Sequence, residues 1–210
     1  MKNLQGDIRM TLIALAMSGF AFTGIETGAQ NHIGLAYNYS MLLGDAGDYI
    51  EKGSYRGGSF EFAHHLTNRT AVGLKVSLST FYESLEKDTY TDENVTVYGK
   101  QFRYLNSSPV LLNFRYNFTD QGSTVIPYVK LGAGAYYIQK RTDIGFYTFV
   151  NDYQWNFGLQ PEAGVLVPLG RTIGITASAS FNQSFGNRSI GNQQYLAVGL
   201  GVTLINLGQR

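Results

Sequence analysis

The chain has 210 residues, enough for one sizeable domain, and its 16 basic and 15 acidic side chains nearly balance, so bulk charge gives no support for nucleic-acid binding. It has no cysteine, which excludes disulfide scaffolds, cysteine-ligated zinc and thiol nucleophiles. Glycine (25) and tyrosine (15) are abundant and proline (4) is scarce, a mixture that favours strands over helices.

Residues 1–29 have the layout of a secretory signal peptide. Lys2 and Arg9 precede an apolar run over residues 10–23, and the small residues TGA come directly before Gln30. The run is too short to span a membrane comfortably as a helix. The alternative is an N-terminal amphipathic helix, but the sequence favours a signal peptide.

From Asn31 onward, apolar and polar residues alternate in eight segments. A period of two indicates strands whose successive side chains point to opposite faces. In chain order the segments are HIGLAYNYSML, SFEFAHHL, AVGLKVSLS, QFRYLNSSPVLLNFRYNF, TVIPYVKLGAGAYYI, YQWNFGLQPEAGVLV, TIGITASASF and YLAVGLGVTL. The sequence therefore predicts eight strands.

The connections between these strands alternate between short and long. Short turns follow the second, fourth and sixth strands, and the four other connections are longer, at about 43–55, 83–100, 139–151 and 184–192. Short turns at one end and long loops at the other are typical of an outer-membrane barrel. An eight-strand meander without covering helices removes its edges by closing on itself.

The orientation of the two faces decides between a soluble and a membrane barrel. A soluble secreted barrel such as a lipocalin would bury the apolar face. Here the polar face carries mainly Gly, Ala, Ser, Thr and Asn with few charges, and aromatic residues concentrate toward strand ends on the apolar face. The strands are also about ten residues long, as spanning strands require. We therefore expect the apolar face to contact lipid and Lys75 to point into the lumen.

Five charged residues at interior positions are predicted to share one layer of the lumen: Glu61, Lys75, Arg115, Lys130 and Glu162. Each isolated buried charge would cost several kcal/mol, so we expect ion pairs, with Glu61 on Lys75 and Glu162 between Arg115 and Lys130. Arg103 is expected far higher, at the outer rim. The layer either fills and fixes the lumen or acts as a gate or narrow selectivity constriction.

Motifs for catalysis and ligand chemistry are weak. His64 and His65 lie near a short turn, with no serine and carboxylate in a recognisable triad arrangement, and three histidines without an acidic cluster make a poor metal site. The glycines of GAGAYY and AVGLGV fall on strands with no following helix, which excludes a phosphate loop. We expect no catalytic residues, no metal and no cofactor.

The long loops offer a contact surface. The second loop is acidic and strand-like, so the barrel strands could extend through it beyond the membrane. The third loop carries Phe146, Tyr147 and Phe149, which are candidates for extracellular contacts. The alternative is that these aromatics pack against neighbouring loops.

The segments SPVLLNFRYNF, IPYVKLGAGAYY, PEAGVLVPLG and YLAVGLGVTL resemble the small outer-membrane β-barrel family. That family includes OmpA-type transmembrane domains, OmpX-like and OmpW-like proteins and the barrels common in Bacteroidetes. The resemblance implies the outer membrane of a Gram-negative bacterium, with membrane lipid, lipopolysaccharide and the barrel-assembly machinery as partners. Two departures from the family pattern are expected: no peptidoglycan-binding domain after the barrel, and no terminal aromatic, since the last printed residues are TLINLGQR.

Together these observations predict an all-β protein, an eight-stranded antiparallel up-and-down transmembrane β-barrel over residues 30–210 after a signal peptide at 1–29. We expect a non-enzymatic, monomeric protein with a structural or surface-interaction role, whose loops contact an extracellular ligand or surface. The alternatives are a narrow, low-conductance channel and, third, a lipid-modifying enzyme.

Overall fold

The computed structural model describes residues 31–92, 95–120, 122–144, 147–186 and 190–206, so the predicted signal peptide lies outside the described residues. The elements in chain order are β1 (Asn31–Leu43), α1 (Asp45–Tyr49), β2 (Ser54–His65), β3 (Thr70–Asp92), β4 (Val95–Asn117), β5 (Ile126–Ile144), β6 (Tyr147–Pro168), β7 (Ile173–Phe185) and β8 (Gln193–Asn206). Within the described ranges no helix is long and apolar enough to cross a membrane.

The eight strands form one closed barrel in which each strand pairs antiparallel with its neighbours in sequence. Closure is made by β1 and β8, whose ladder runs without interruption from Asn31 opposite Asn206 to Leu43 opposite Gln194. Because the last strand pairs with the first, the shared part of the sheet has no edge. The predicted eight-strand up-and-down barrel is confirmed.

The two faces of the sheet are inverted relative to a soluble barrel. Leu35 and Leu200 expose 67% and 63% of their surface on the outside, whereas Lys75 exposes only 6% and Asn182 none, both inside. An apolar exterior over polar, buried lumen side chains is the arrangement of a barrel surrounded by lipid. The prediction that Lys75 points inward is confirmed.

The strands are of unequal length at the long-loop end. β3 and β4 each have 23 residues, β6 has 22 and β5 has 19, against 12 to 14 for the other four. The outer parts of β3 to β6 therefore project beyond the rest of the barrel, and we call them the projecting sheet (residues 80–92, 95–106, 139–144 and 147–156). The predicted second loop does continue as strand, and so does most of the predicted third loop.

An apolar plug fills the mouth of the barrel beneath the first long loop. Ile50 directly follows α1 and is completely buried, and Ala46 of α1 is also buried. They pack with interior side chains from the strands and the last loop: Leu42, Phe81, Leu105, Leu111, Tyr136, Ile138, Ile190, Tyr195 and Ala197. The connection at 43–55, expected as an exposed loop, instead turns back into the lumen.

At the opposite, short-turn end, an ion pair links two neighbouring turns. Arg69 Nε donates a hydrogen bond to Asp120 Oδ1 at 2.9 Å, between the turn after β2 and the turn after β4. This hydrogen bond, with the positive charge of Arg69, lowers the pKa of the Asp120 carboxyl.

We predict a matching pH dependence. Because the pKa of Asp120 is lower in the folded state, the pair contributes its stability above the unfolded pKa of roughly 3.9 and loses it as the pH falls through the folded value. Arg69→Gln should raise the pKa of Asp120 toward its ordinary value, as followed by carboxyl chemical shifts in an NMR titration. An unchanged titration curve in this variant would contradict the pairing.

Candidate functional site

Four of the five predicted lumen charges form one continuous network in the middle of the barrel. Lys75 Nζ donates to Glu162 Oε2 at 2.6 Å, and Lys130 Nζ donates to Glu162 Oε1 at 2.9 Å. Lys130 also binds Glu61 Oε2, so a single ammonium bridges both carboxylates. The two carboxylates and two ammonium groups therefore neutralise each other within one layer.

Strand register places these four residues opposite each other in two pairs. Glu61 on β2 lies directly opposite Lys75 on β3, as its interior position predicts, and Lys130 on β5 lies directly opposite Glu162 on β6. The layer thus consists of two acid–base pairs of adjacent strands that face each other across the lumen. Alternation with a period of two points all four side chains inward.

The predicted pairing within the layer is wrong in part: Glu162 does bind Lys130, as expected, but it does not bind Arg115. Glu61 binds Lys130 instead of Lys75, and Lys75 crosses the lumen to Glu162. An eight-strand barrel is narrow enough for long lysine side chains to reach the facing strands, so opposite positions on adjacent strands do not fix the partners. Arg115 also departs from the prediction, because no carboxylate among the described residues lies within 4.0 Å of it.

Arg115 lies on the short-turn side of the layer and contacts aromatic and polar groups. Its guanidinium carbon lies 3.8 Å from the ring centroid of Tyr128, and its Nε donates to Asn117 Oδ1 at 2.8 Å. Tyr128 in turn donates its hydroxyl hydrogen to Glu162 Oε1 at 3.1 Å. Tyr128 therefore links Arg115 to the charged layer.

Two histidines continue this contact chain, and the sequence reasoning missed them. Arg115 Nη1 lies 3.4 Å from His32 Nε2, and His32 Nδ1 lies 3.0 Å from His65 Nε2. Both histidines occupy interior positions of β1 and β2. Both histidines alternate in phase with the interior residues of their strands, a sequence feature that could have placed them in the lumen next to the charged residues.

The long-loop end of the lumen has a second set of charges around α1. Arg103 Nη1 donates to the backbone oxygen of Tyr49 at 3.0 Å, and Lys140 Nζ lies 4.1 Å from the centroid of the Tyr49 ring. Glu83 accepts a hydrogen bond from the backbone nitrogen of Glu51 at 2.9 Å. These contacts fasten the plug-bearing loop to β3, β4 and β5.

The residues considered for catalysis and metal binding have other contacts. His64 Nδ1 lies 2.8 Å from Asn31 Oδ1, a side-chain amide that supplies neither a nucleophile nor a charge. Within the described ranges no group of three or more His, Asp or Glu side chains is arranged to hold a metal ion.

The three aromatic contact candidates fall at the tip of the projecting sheet. Phe146 lies outside the described residues. Tyr147 begins β6 and its backbone pairs with Ile144 of β5, and Phe149 follows in the same strand. These two positions therefore belong to strand, where a loop was expected.

The sequence profile of a protein family described as "Surface antigen" matches residues 60–198, well over half of the chain. The chain belongs to this surface-antigen family. No curated protein matches it significantly. The surface-antigen barrel is a Gram-negative outer-membrane protein, and the resemblance to small outer-membrane barrels is confirmed.

Solved structures share the fold of this surface-antigen barrel. Ail, the attachment invasion locus protein of Yersinia pestis, in complex with the heparin analogue sucrose octasulfate, is 15% identical with a TM-score of 0.53, over 84% of this chain and 98% of Ail. A major outer membrane protein from Thermus thermophilus is 11% identical with a TM-score of 0.53, over 84% and 99% of the two chains. Identities this low show the architecture alone.

Proposed function

We propose that this surface-antigen barrel is a non-enzymatic, non-conducting anchor that presents its projecting sheet to a partner outside the cell. One combination of features carries the proposal. Side chains fill the lumen at two levels, the apolar plug and the charged layer, and four strands extend past the others. Side chains occupy the space a solute would need, and the additional strand length lies on the long-loop side.

The filled lumen argues against conduction. An ion moving along the barrel axis would have to displace Ile50 and its apolar neighbours, and then separate the ion pairs centred on Lys130. The cavity at the charged layer has a volume of about 40 Å³, room for a few water molecules. Unpairing a buried charge costs on the order of several kcal/mol, so separating the ion pairs of this layer is energetically unfavourable.

The projecting sheet has two backbone edges that could bind an extended peptide. Pairing of β2 with β3 reaches only Gly57 opposite Ser79, and pairing of β6 with β7 starts only at Phe157 opposite Phe185. Beyond these points β3 and β6 have no strand neighbour on one side within the described residues. Unpaired backbone N–H and C=O groups on such an edge accept a further strand, which makes an extended protein segment the favoured partner.

The outer surface of the projecting sheet adds side chains suited to contacts. Tyr98 exposes 71% of its surface, and Lys87 and Lys100 lie directly opposite each other and are both exposed. Aromatic and basic side chains also suit sulfated glycans, the ligand class that the Ail structure contains. A glycan is therefore the competing partner class in the experiment below.

We predict that the folded protein is electrically silent. Refolded protein, checked by heat-dependent gel migration, is measured in planar lipid bilayers, with Lys75→Glu as the second sample. No discrete openings are expected because plug and charged layer both remain closed in the wild type. Wild-type openings whose ion preference changes in Lys75→Glu would overturn the proposal in favour of a narrow channel.

We also predict that contacts outside the cell need the projecting sheet. Residues 85–101 are replaced by an Asn-Gly turn joining Ser84 to Phe102, which lie opposite each other in the ladder. Bacteria expressing this variant should lose adherence to a cultured epithelial layer, and Arg69→Gln, altered at the other end of the barrel, should keep it at the same surface level. Inhibition by soluble heparin would assign the partner to glycans, and full adherence of the shortened variant would contradict the proposal.

A further inference from the structure

A small cavity lies between Arg115 and the short-turn end of the barrel. Its volume is about 20 Å³, and its polar lining residues are Arg115, His65, His32 and Asn117. The apolar side chains of Ile126, Leu166 and Ile205 also line it and form a buried cluster of their own. One water needs about 10–15 Å³, so the cavity accommodates one particle of that size.

Arg115 brings an unpartnered donor to this cavity. The residue is only 4% exposed, its Nε binds Asn117 and its Nη1 contacts His32, but its Nη2 has no hydrogen-bond partner. Arginine nitrogens are donors only and carry a permanent positive charge. A species in the cavity that accepts a hydrogen bond would satisfy the Nη2 group.

His65 supplies a second donor to the same cavity. Because Arg115 Nη1 can only donate, His32 Nε2 accepts, and the proton of neutral His32 is then on Nδ1 and is donated to His65 Nε2. This leaves the proton of His65 on Nδ1, a buried atom that makes no hydrogen bond of normal geometry, although the backbone of Thr67 lies near the ring. Two residues that line this cavity, Arg115 and His65, therefore each carry a buried donor that makes no hydrogen bond of normal geometry.

The charge balance of the lumen favours an anion over water. The lower lumen holds three basic side chains, Lys75, Arg115 and Lys130, against the two carboxylates of Glu61 and Glu162. Both carboxylates are bound by the lysines, and none lies within 4.0 Å of Arg115. One positive charge thus remains uncompensated beside a cavity with an apolar wall, where a water molecule would satisfy the donors but leave the charge unpaired.

We infer that this cavity binds one monatomic anion, with chloride of the surrounding solution as the natural occupant, held by Arg115 Nη2 and His65 Nδ1. The volume excludes tetrahedral oxyanions such as sulfate or phosphate, which are several times larger than one water. The apolar wall formed by Ile126, Leu166 and Ile205 keeps competing water away and strengthens the attraction to Arg115. The anion completes the neutralisation of the lumen.

The direct test is a crystal of the wild-type protein grown in sodium bromide. The expected result is an anomalous difference peak within hydrogen-bond reach of both Arg115 Nη2 and His65 Nδ1. A water molecule at this position, or an empty cavity with bromide bound only elsewhere, would overturn the inference.

A solution test uses the thermal unfolding midpoint in detergent micelles, compared between sodium chloride and sodium gluconate at equal ionic strength. Binding to the folded state alone raises the midpoint in a saturable way, so chloride should stabilise the wild type by several degrees. Arg115→Gln should remove this effect, whereas Arg103→Gln, which alters the interior arginine of the other end, should retain it. Equal chloride effects in all three proteins, or none in the wild type, would overturn the inference.

A milder variant keeps the test decisive if Arg115→Gln does not refold. His65→Leu removes one of the two donors and leaves the charge of Arg115 in place. The chloride concentration for half-maximal stabilisation should increase by about tenfold, equivalent to roughly 1.4 kcal/mol. An unchanged half-maximal concentration would contradict the assignment of His65 Nδ1 to the site.

Discussion

Replacing Lys130 with methionine is expected to lower the free energy of unfolding by about 3–5 kcal/mol. Lys130 bridges both lumen carboxylates, and its loss leaves Glu61 with no charged partner within 4.0 Å among the described residues, because the nearby His32 is neutral. Methionine has a similar length, so the loss reports on the missing charge more than on packing. Urea unfolding in lipid vesicles, followed by the fluorescence of Trp155, measures the difference.

Two further variants show whether charge is the cause. Lys140→Met removes the interior lysine beside Tyr49, whose contact with the ring is worth roughly 0.5–1 kcal/mol, so its loss should be much smaller. Adding Glu61→Gln to Lys130→Met removes the orphaned carboxylate and should recover part of the stability. If the second substitution instead lowered the free energy of unfolding by the full amount expected for an independent site, that result would contradict the network.

Truncating Phe81 to alanine is expected to cost about 3–5 kcal/mol, because it leaves a cavity in the apolar plug. Phe81 is completely buried and its ring meets that of Tyr195 edge-on, with the centroids 5.6 Å apart. The same unfolding assay measures the loss. Tyr98→Ala provides the control, since this aromatic on the projecting sheet is 71% exposed and its truncation should change stability by less than about 0.5 kcal/mol.

A loss below about 1 kcal/mol for Phe81→Ala would mean that the plug contributes little to the folded barrel. The first long loop could then leave the lumen at low cost, and conductance should be measured on this variant as well. With the expected large loss, the plug is an integral part of the fold and the lumen stays closed in the native state.

The strands, their order and the orientation of their faces follow from the sequence because a period of two leaves little freedom. Val72, Leu74, Val76 and Leu78 alternate with small or polar residues, and a shift of one residue would place Lys75 in lipid. The short turns then set the register, which brings Glu61 opposite Lys75 as expected. Local pattern is sufficient wherever the determining contacts are between adjacent strands.

The side-chain partners and the plug depend on contacts that local pattern does not contain. Lys75 reaches Glu162 across the lumen, and the barrel diameter that allows this is a property of the closed sheet. The sequence did contain a signal for the plug, because Phe81 and Leu105 are apolar residues at interior positions, where a membrane barrel usually carries polar side chains. The first long loop contains an apolar residue, Ile50, which covers them.

The ion pairs that cross the lumen depend on closure of the barrel. Lys75 on β3 and Glu162 on β6 are three strands apart, as are Glu61 on β2 and Lys130 on β5. In an open sheet, strands three apart are separated by roughly 14 Å, beyond the range of a contact ion pair. Curling of the sheet brings these two cross-lumen pairs together, whereas Lys130 and Glu162 lie opposite each other on adjacent strands and can pair before the barrel closes. The cross-lumen ion pairs and the closed barrel thus form together, which favours the closed barrel over partly closed intermediates.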